Sequence, residues 1–346
     1  MTTLWFILVA FMLTMYVVLD GFDLGAGMLH LFIAASNAER RTILRAIGPV
    51  WDGNEVWLIA AGGTLFFTFP ILYASSFSGF YLPLFMVLWL LMIRGIAIEL
   101  RSHFPNPVWT AFWDGLFALG STLLAFFYGV ALANVVRGVP LNAHHSFFEA
   151  LWTNFSPANS NPGILDWYTI LIGLLAVFAL LLHGAAYIAL KTTGELNTRA
   201  HQAGRRAWQV TLAVLIIGTL ATFLLRPMVL FNFTHYPWGL VFPLAALAGF
   251  LFAGWSVYHN NDQWAFTGSS FFIIGMLSST AFALYPDVLP ATNPSDSLTI
   301  ANAAAPQYGL IVGLIWWIIG IILALLYFTI IYRLFRGKVS VPAESH

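Results

Sequence analysis

Residues 4–33 read LWFILVAFMLTMYVVLDGFDLGAGMLHLFI, thirty positions without a lysine or an arginine. A bilayer core of about 30 Å is crossed by about 20 apolar residues in a helix, because every backbone N–H and C=O must be satisfied within the segment. The stretch is long enough to cross, and it predicts a membrane helix with Asp20 and Asp23 inside it. Applied outward along the chain, the same test predicts nine spans, near 4–33, 50–70, 73–99, 109–136, 163–190, 206–225, 239–258, 264–285 and 307–335. Pro70, the Pro105/Pro107 pair, the 159–162 stretch and Asn293-Pro294 punctuate the connections. The expected fold is an all-α integral membrane protein, one polytopic membrane domain over residues 1–346 with the lipid bilayer as its solvent.

Composition excludes the other classes. Of 346 residues, 60% are hydrophobic and only 8% charged, whereas a soluble domain carries roughly 25% charged residues. The mean hydropathy is +0.83. A net charge of zero offers no basic excess for phosphates, so nucleic acid is not a partner. The absence of cysteine excludes disulfides, thiolate metal or haem ligands and cysteine-held iron–sulfur clusters.

Basic residues set the expected orientation. Arg40, Arg41, Arg45, Arg94, Arg101, Lys191, Arg199, Arg205, Arg206, Arg333, Arg336 and Lys338 fall on one side of a nine-span chain, which leaves only Arg137 and Arg226 on the other. The positive-inside rule then puts the N-terminus outside and the C-terminus in the cytoplasm. No cleavable signal peptide is expected, since a basic leader is absent and the first apolar run is full length. The 142–160 connection is polar enough to lie on the outer surface, and 200–208 reads as an inner interfacial stretch.

With so few charges, each carboxylate inside a span is a functional hypothesis, because placing one there costs about 2.5–3.5 kcal/mol on insertion scales. Asp20 and Asp23 share one helix face at i,i+3. Asp52 and Glu55 repeat that spacing in Trp51-Asp52-Gly53-Asn54-Glu55-Val56-Trp57, Glu99 lies between Arg94 and Arg101, and Asp114 opens the fourth span. Six acids thus converge on the inner side of the first four spans. Two readings compete: helix-end acids paired with Arg94, Arg101 and the Arg40/Arg41/Arg45 cluster, or a route by which carboxylates lead protons from the cytoplasm toward a buried consumer. Gly21, Gly25 and Gly27 beside Asp20 and Asp23 suggest another backbone pressed against that face. Only His30 and His183 lie within spans, and no Glu-x-x-His pair or histidine cluster offers a metal site. No redox centre ligated by this chain is expected.

At this point the motifs resemble a known family. Asp20-Gly21-Phe22-Asp23-Leu24-Gly25-Ala26-Gly27-Met28-Leu29 is similar to the first-helix signature of subunit II of the cytochrome bd quinol oxidases, which include the cyanide-insensitive branch. So are Trp51-Asp52-Gly53-Asn54-Glu55-Val56-Trp57-Leu58, Phe77-Ser78-Gly79-Phe80-Tyr81, Arg94 with Glu99-Leu100-Arg101-Ser102, Trp113-Asp114, Asn134 with Gly138-Val139-Pro140, His183-Gly184-Ala185-Ala186-Tyr187 and Lys191-Thr192-Thr193-Gly194-Glu195-Leu196. They run in order along nearly the whole chain.

The resemblance implies nine transmembrane helices arranged as two four-helix bundles, about 1–136 and the region within 163–336, plus one peripheral helix. It implies the second subunit of a bacterial inner-membrane terminal oxidase that oxidises quinol, reduces dioxygen to water and contributes to the proton-motive force. Two b-type haems and one d-type (or b-type) haem would belong to subunit I, the partner, together with the quinol site. Subunit II would supply assembly, stability and a cytoplasmic proton path. Asp23 and Asp52 match the acids of that path, Glu99 stands where some relatives have Asp, and Asp20 and Trp57 accompany them. Trp51, Asn54, Glu55, Arg94, Arg101 and Asp114 are expected to support the route. Some members bind a structural quinone in this subunit, and an additional small subunit is left open. The rival from another class is a proton-coupled secondary transporter, whose acids would gather at the midplane.

Overall fold

α1 (Thr2–Ile33) is the axis of the structure, a computed structural model describing residues 1–159 and 161–339. Every residue from Asp20 to His30 is buried, so this half of the helix has neighbours on all sides. Glycine makes that possible. A Cβ placed on Gly25 would lie 2.2 Å from the Leu180 carbonyl oxygen, and one on Gly184 would lie 2.3 Å from the Gly25 carbonyl carbon. The backbones of α1 and α7 (Trp167–Lys191) are therefore in direct contact, as small-residue crossings allow.

The chain continues through the amphipathic α2 (Asn37–Ile47), then α3 (Trp51–Thr68), α4 (Pro70–Gly79), α5 (Tyr81–Leu100) and α6 (Pro107–Arg137). α3, α6 and α7 pack on α1, and α5 packs on α6. After α7 come α8 (Gly194–Leu225), a short α9 (Phe231–His235), α10 (Val241–Tyr258) and α11 (Asp262–Leu284). Here α7 packs on α8 and α11, and α10 on α11. A small antiparallel pairing of β1 (Asp287–Leu289) with β2 (Leu298–Thr299) sets Asp287 opposite Thr299. It precedes α12 (Gln307–Leu334), of which only Leu310 is buried.

Among the described residues, eight helices are long and apolar enough to cross a membrane. α3 with α4, bent by 119° at Phe69, makes a ninth candidate. Two expected boundaries move. The third span does not begin at residue 73: residues 70–79 form the separate α4, and the span starts at Tyr81. Pro83 is the cause, because in a continuous helix its ring would strike the Gly79 carbonyl, whereas in the first turn of α5 it is harmless. The sixth span, expected from residue 206, begins earlier, since the 200–208 stretch is helical and part of α8. Leu196, Ala200, His201, Gly204 and Ala207 give that helix a buried stripe at helical spacing, and its Arg199 and Arg205 flank that stripe to reach the Ile33 and Val257 carbonyls.

The two ends of the bundle differ chemically. At one end, Arg101 reaches Asn37, Arg199 reaches Glu39 and the Ile33 carbonyl, and Lys338 reaches Asp262. We call this the basic end. At the opposite end, Trp5, Phe69, Val139, Phe147, Leu289 and Leu298 form an apolar plug beneath the connections.

Candidate functional site

The carboxylates of the first four spans divide into three arrangements. The deepest centres on Arg94 of α5, which is fully buried. Its guanidinium forks onto Asp20, with Nη1 donating to Oδ2 at 2.8 Å and Nη2 to Oδ1 at 2.5 Å, the bidentate geometry that best repays burial of an ion pair. Glu55 Oε1 lies 3.1 Å from the same Nη2, and its side chain is 22% exposed, so this carboxylate reaches from the buried pair toward the surface.

Asp23, one helical turn from Asp20, is held differently. Its Oδ2 accepts a 2.7 Å hydrogen bond from Asn54 Nδ2, whereas its Oδ1 is buried without a partner among the described residues. Asn54 is also buried. Its amide donates to the Leu19 carbonyl at 3.0 Å, and its Oδ1 accepts from the Tyr332 hydroxyl at 2.9 Å. Trp57 lies one turn further along α3, buried against Phe11 and Phe328. Trp51 lies against Gly95 of α5. Asp52 and Glu99 are exposed on α3 and α5, and their carboxylates make no hydrogen bond or ion pair among the described residues.

Asp114 is part of a knot. Arg101 grips it through Nε at 2.5 Å and Nη2 at 3.0 Å, Arg40 reaches its Oδ2 at 3.3 Å, and His30 Nε2 lies 3.2 Å from its Oδ1. These contacts join α1, α2, α5 and α6 at the basic end. Of the six acids, Asp20 and Glu55 therefore share Arg94, Asp114 belongs to Arg101, Asp23 keeps a free oxygen, and Asp52 and Glu99 face outward.

Sequence reasoning missed a second buried cluster. Arg137 ends α6 at the opposite end, 3% exposed. Its Nη1 donates to Asp166 and to the Gly163 carbonyl, and its Nη2 donates to Asn134 Oδ1 at 2.6 Å and Glu149 Oε1 at 2.9 Å. Glu149 was expected on the outer surface with its connection, but it is 1% exposed. Its backbone N–H is held by the Gly79 carbonyl and its side chain turns in to Arg137, so the loop folds over it. Tyr332 was missed too, because one hydroxyl in an apolar run reads as an interfacial aromatic.

The family described as cytochrome bd terminal oxidase subunit II matches residues 1–335. The probable cytochrome oxidase subunit 2 of Haemophilus influenzae is 32% identical over 97% of this chain and 94% of its own length. The cytochrome bd ubiquinol oxidase subunit 2 of Bacillus subtilis is 33% identical over 89% and 87%. The chain belongs to the cytochrome bd subunit II family. The solved bd oxidase of Geobacillus thermodenitrificans shares the fold, with a TM-score of 0.73 at 19% identity over 96% of this chain and 98% of that one.

As a bd subunit II, the chain is part of an oxidoreductase complex with a partner subunit, and the secondary-transporter reading is not favoured. Membership implies haems in that complex. Among the described residues, no group of three or more histidines and acids could hold a metal ion. His30 spends its ring nitrogens on the Gly27 carbonyl and Asp114, and His183 spends its own on Ser269 and the Val18 carbonyl. Neither has a nitrogen left for iron.

Proposed function

We propose that this subunit carries protons from its basic end, which faces the cytoplasm, toward the partner subunit. Asp52 and Glu99 collect them at the surface, Glu55 links surface to interior, and Asp23 holds them inside. Asp20 and Arg94 fix the frame rather than carry the proton. A forked ion pair must break two charge-assisted bonds to exchange a proton, whereas the free oxygen of Asp23 need break none. That free oxygen, buried on a helix enclosed on all sides, is the observation that carries the reading. In a water-poor interior such an atom marks a place for a proton or an ordered water.

The orientation rests on the gathering of nearly all lysines and arginines at one end, which favours a cytoplasmic C-terminus, and family membership supports the inner membrane of a bacterium. The partner covers the face of α3 and α5, where Val56, Ile59, Leu88, Trp89, Met92 and Ile96 are exposed and apolar beside Asp52 and Glu99. In this reading the first four spans form one bundle, the next four a second, and α12 stands outside both. A quinone held by this subunit would take the apolar cavity of about 550 Å³ edged by Tyr16 and Tyr128.

The test uses the assembled oxidase. Asp52→Asn and Asp23→Asn complexes are expected to keep their haem content and lose about tenfold or more of quinol-driven oxygen consumption, the scale of a lost proton-transfer group. Full turnover in both, with haems intact, overturns the proposal.

A further inference from the structure

The hydrogen bonds around Asn54 admit one orientation of its amide. Its two N–H groups are used on the Asp23 carboxylate and the Leu19 carbonyl, both pure acceptors when the acid is ionised, and its oxygen is used on the Tyr332 hydroxyl. Turning the amide over would set Oδ1 against two acceptors and leave the phenol facing an NH₂ group. The phenol comes from α12, a helix that otherwise buries almost nothing.

Two features bring α12 to this point. Gly53 has no side chain, and a Cβ there would lie 3.3 Å from the Tyr327 ring, so α12 passes close over the first turn of α3. Beyond the helix, the Lys191 ammonium donates to the Phe335 carbonyl at 2.5 Å, and Lys338 donates to the Thr192 carbonyl at 2.9 Å. These contacts strap the end of α12 to the junction of α7 and α8.

We propose that Tyr332 is a positioning residue for proton delivery: by fixing the Asn54 amide it commits Asp23 Oδ2 to a hydrogen bond and keeps Oδ1 free for the proton. The peripheral helix thereby bears on an acid with which it shares no hydrogen bond among the described residues. This rests on the proton-route reading of Asp23.

The experiment compares Tyr332→Phe, Asn54→Leu, the double variant and Asp23→Asn in the assembled two-subunit oxidase, with haem content as the assembly control. Tyr332→Phe is expected to slow oxygen consumption about fivefold, the rate equivalent of one neutral hydrogen bond. It is also expected to shift the carboxyl infrared band that Asp23→Asn removes. In the Asn54→Leu background, the same change is expected to add nothing, since the phenol acts through that amide. A Tyr332→Phe complex with unchanged turnover and unchanged band overturns the inference, as does a Tyr332→Phe effect that persists undiminished without Asn54. If Asp23→Asn itself turns over fully, the route falls and this inference with it. If Asp23→Asn is slow while Tyr332→Phe is silent, only the positioning role falls.

Discussion

Arg94 and Arg137 meet the same electrostatic problem at opposite ends of the bundle. Each guanidinium is buried between two carboxylates, and each leaves its Nε without a partner among the described residues. Their surroundings differ. At Arg137 both acids are sealed, and Asp166 also caps α7 through the Tyr168 and Thr169 amides at 2.8 Å. Glu149 Oε2 is free there, but the charges acting on Glu149 are Arg137 and Asp166 alone. At Arg94, Glu55 is 22% exposed on the surface of this chain, a further acid lies one turn away with an oxygen that has no partner among the described residues, and Asp52 stands exposed beyond. A buried ion pair is thus no mark of function by itself. What separates the two sites is a chain of acids leading outward from one and not from the other.

The largest expected effect breaks the pairs. Removing one partner of a buried ion pair costs about 3–5 kcal/mol, because the remaining charge stays uncompensated. Arg137→Leu strands two sealed carboxylates, while Arg94→Leu strands one sealed and one that is part-exposed on this chain. Thermal melts of the purified complex are expected to rank Arg137→Leu as the more damaging. The reverse ranking would break the comparison, because solvent access would not then be what distinguishes the sites.

A smaller effect tests the sealed site by pH. Burial pushes the Glu149 carboxyl up from the usual 4.5 to about 7, with Arg137 opposing the rise and Asp166 reinforcing it. The unfolded chain releases this proton near 4.5 and the folded chain near 7, so between those values the folded state holds more protons. Its contribution is complete below the lower value and is lost as pH rises through the upper one, on the order of 3 kcal/mol in all. Glu149→Gln keeps a neutral side chain and is expected to flatten this dependence. Melting temperatures of wild type and variant at about pH 5.5 and about pH 8 check it. Parallel shifts in the two proteins refute it.

Much of this was legible in the sequence, and the rest has identifiable reasons for being hidden. Apolar run length located the spans, since a bilayer imposes its thickness on any helix that crosses it. The i,i+3 spacings put Asp20 with Asp23 and Asp52 with Glu55 on common faces. The pairing of Asp20 with Arg94 across 74 residues depends on how α1 meets α5, and local spacing carries no trace of that packing. Polarity misled at Glu149, because a charged residue in a connection reads as solvated unless its counter-charge is known to be buried beneath it. Pro83 did announce the break between α4 and α5, but the apolar run around it masked the signal.

The smallest effect uses a third cluster at the basic end to separate burial from charge. Asp262 pairs with His201 at 2.7 Å and accepts from Lys338 at 2.5 Å, as many partners as Arg137 has acids. Here the lysine is 43% exposed and the aspartate 22%. Water already solvates both charges, so their pairing gains little, and exposed pairs are worth about 0.2–1 kcal/mol. Lys338→Ala is therefore expected to lower the stability of the complex by less than about 1 kcal/mol, and the difference should shrink further in high salt, which screens exposed charges. Thermal melts of wild type and Lys338→Ala at low and high ionic strength measure it. A loss as large as that of Arg137→Leu, or one indifferent to salt, would mean that the strap closing α12 onto α7 and α8 bears the stability, and the contrast between sealed and hydrated clusters would have to be redrawn around that strap.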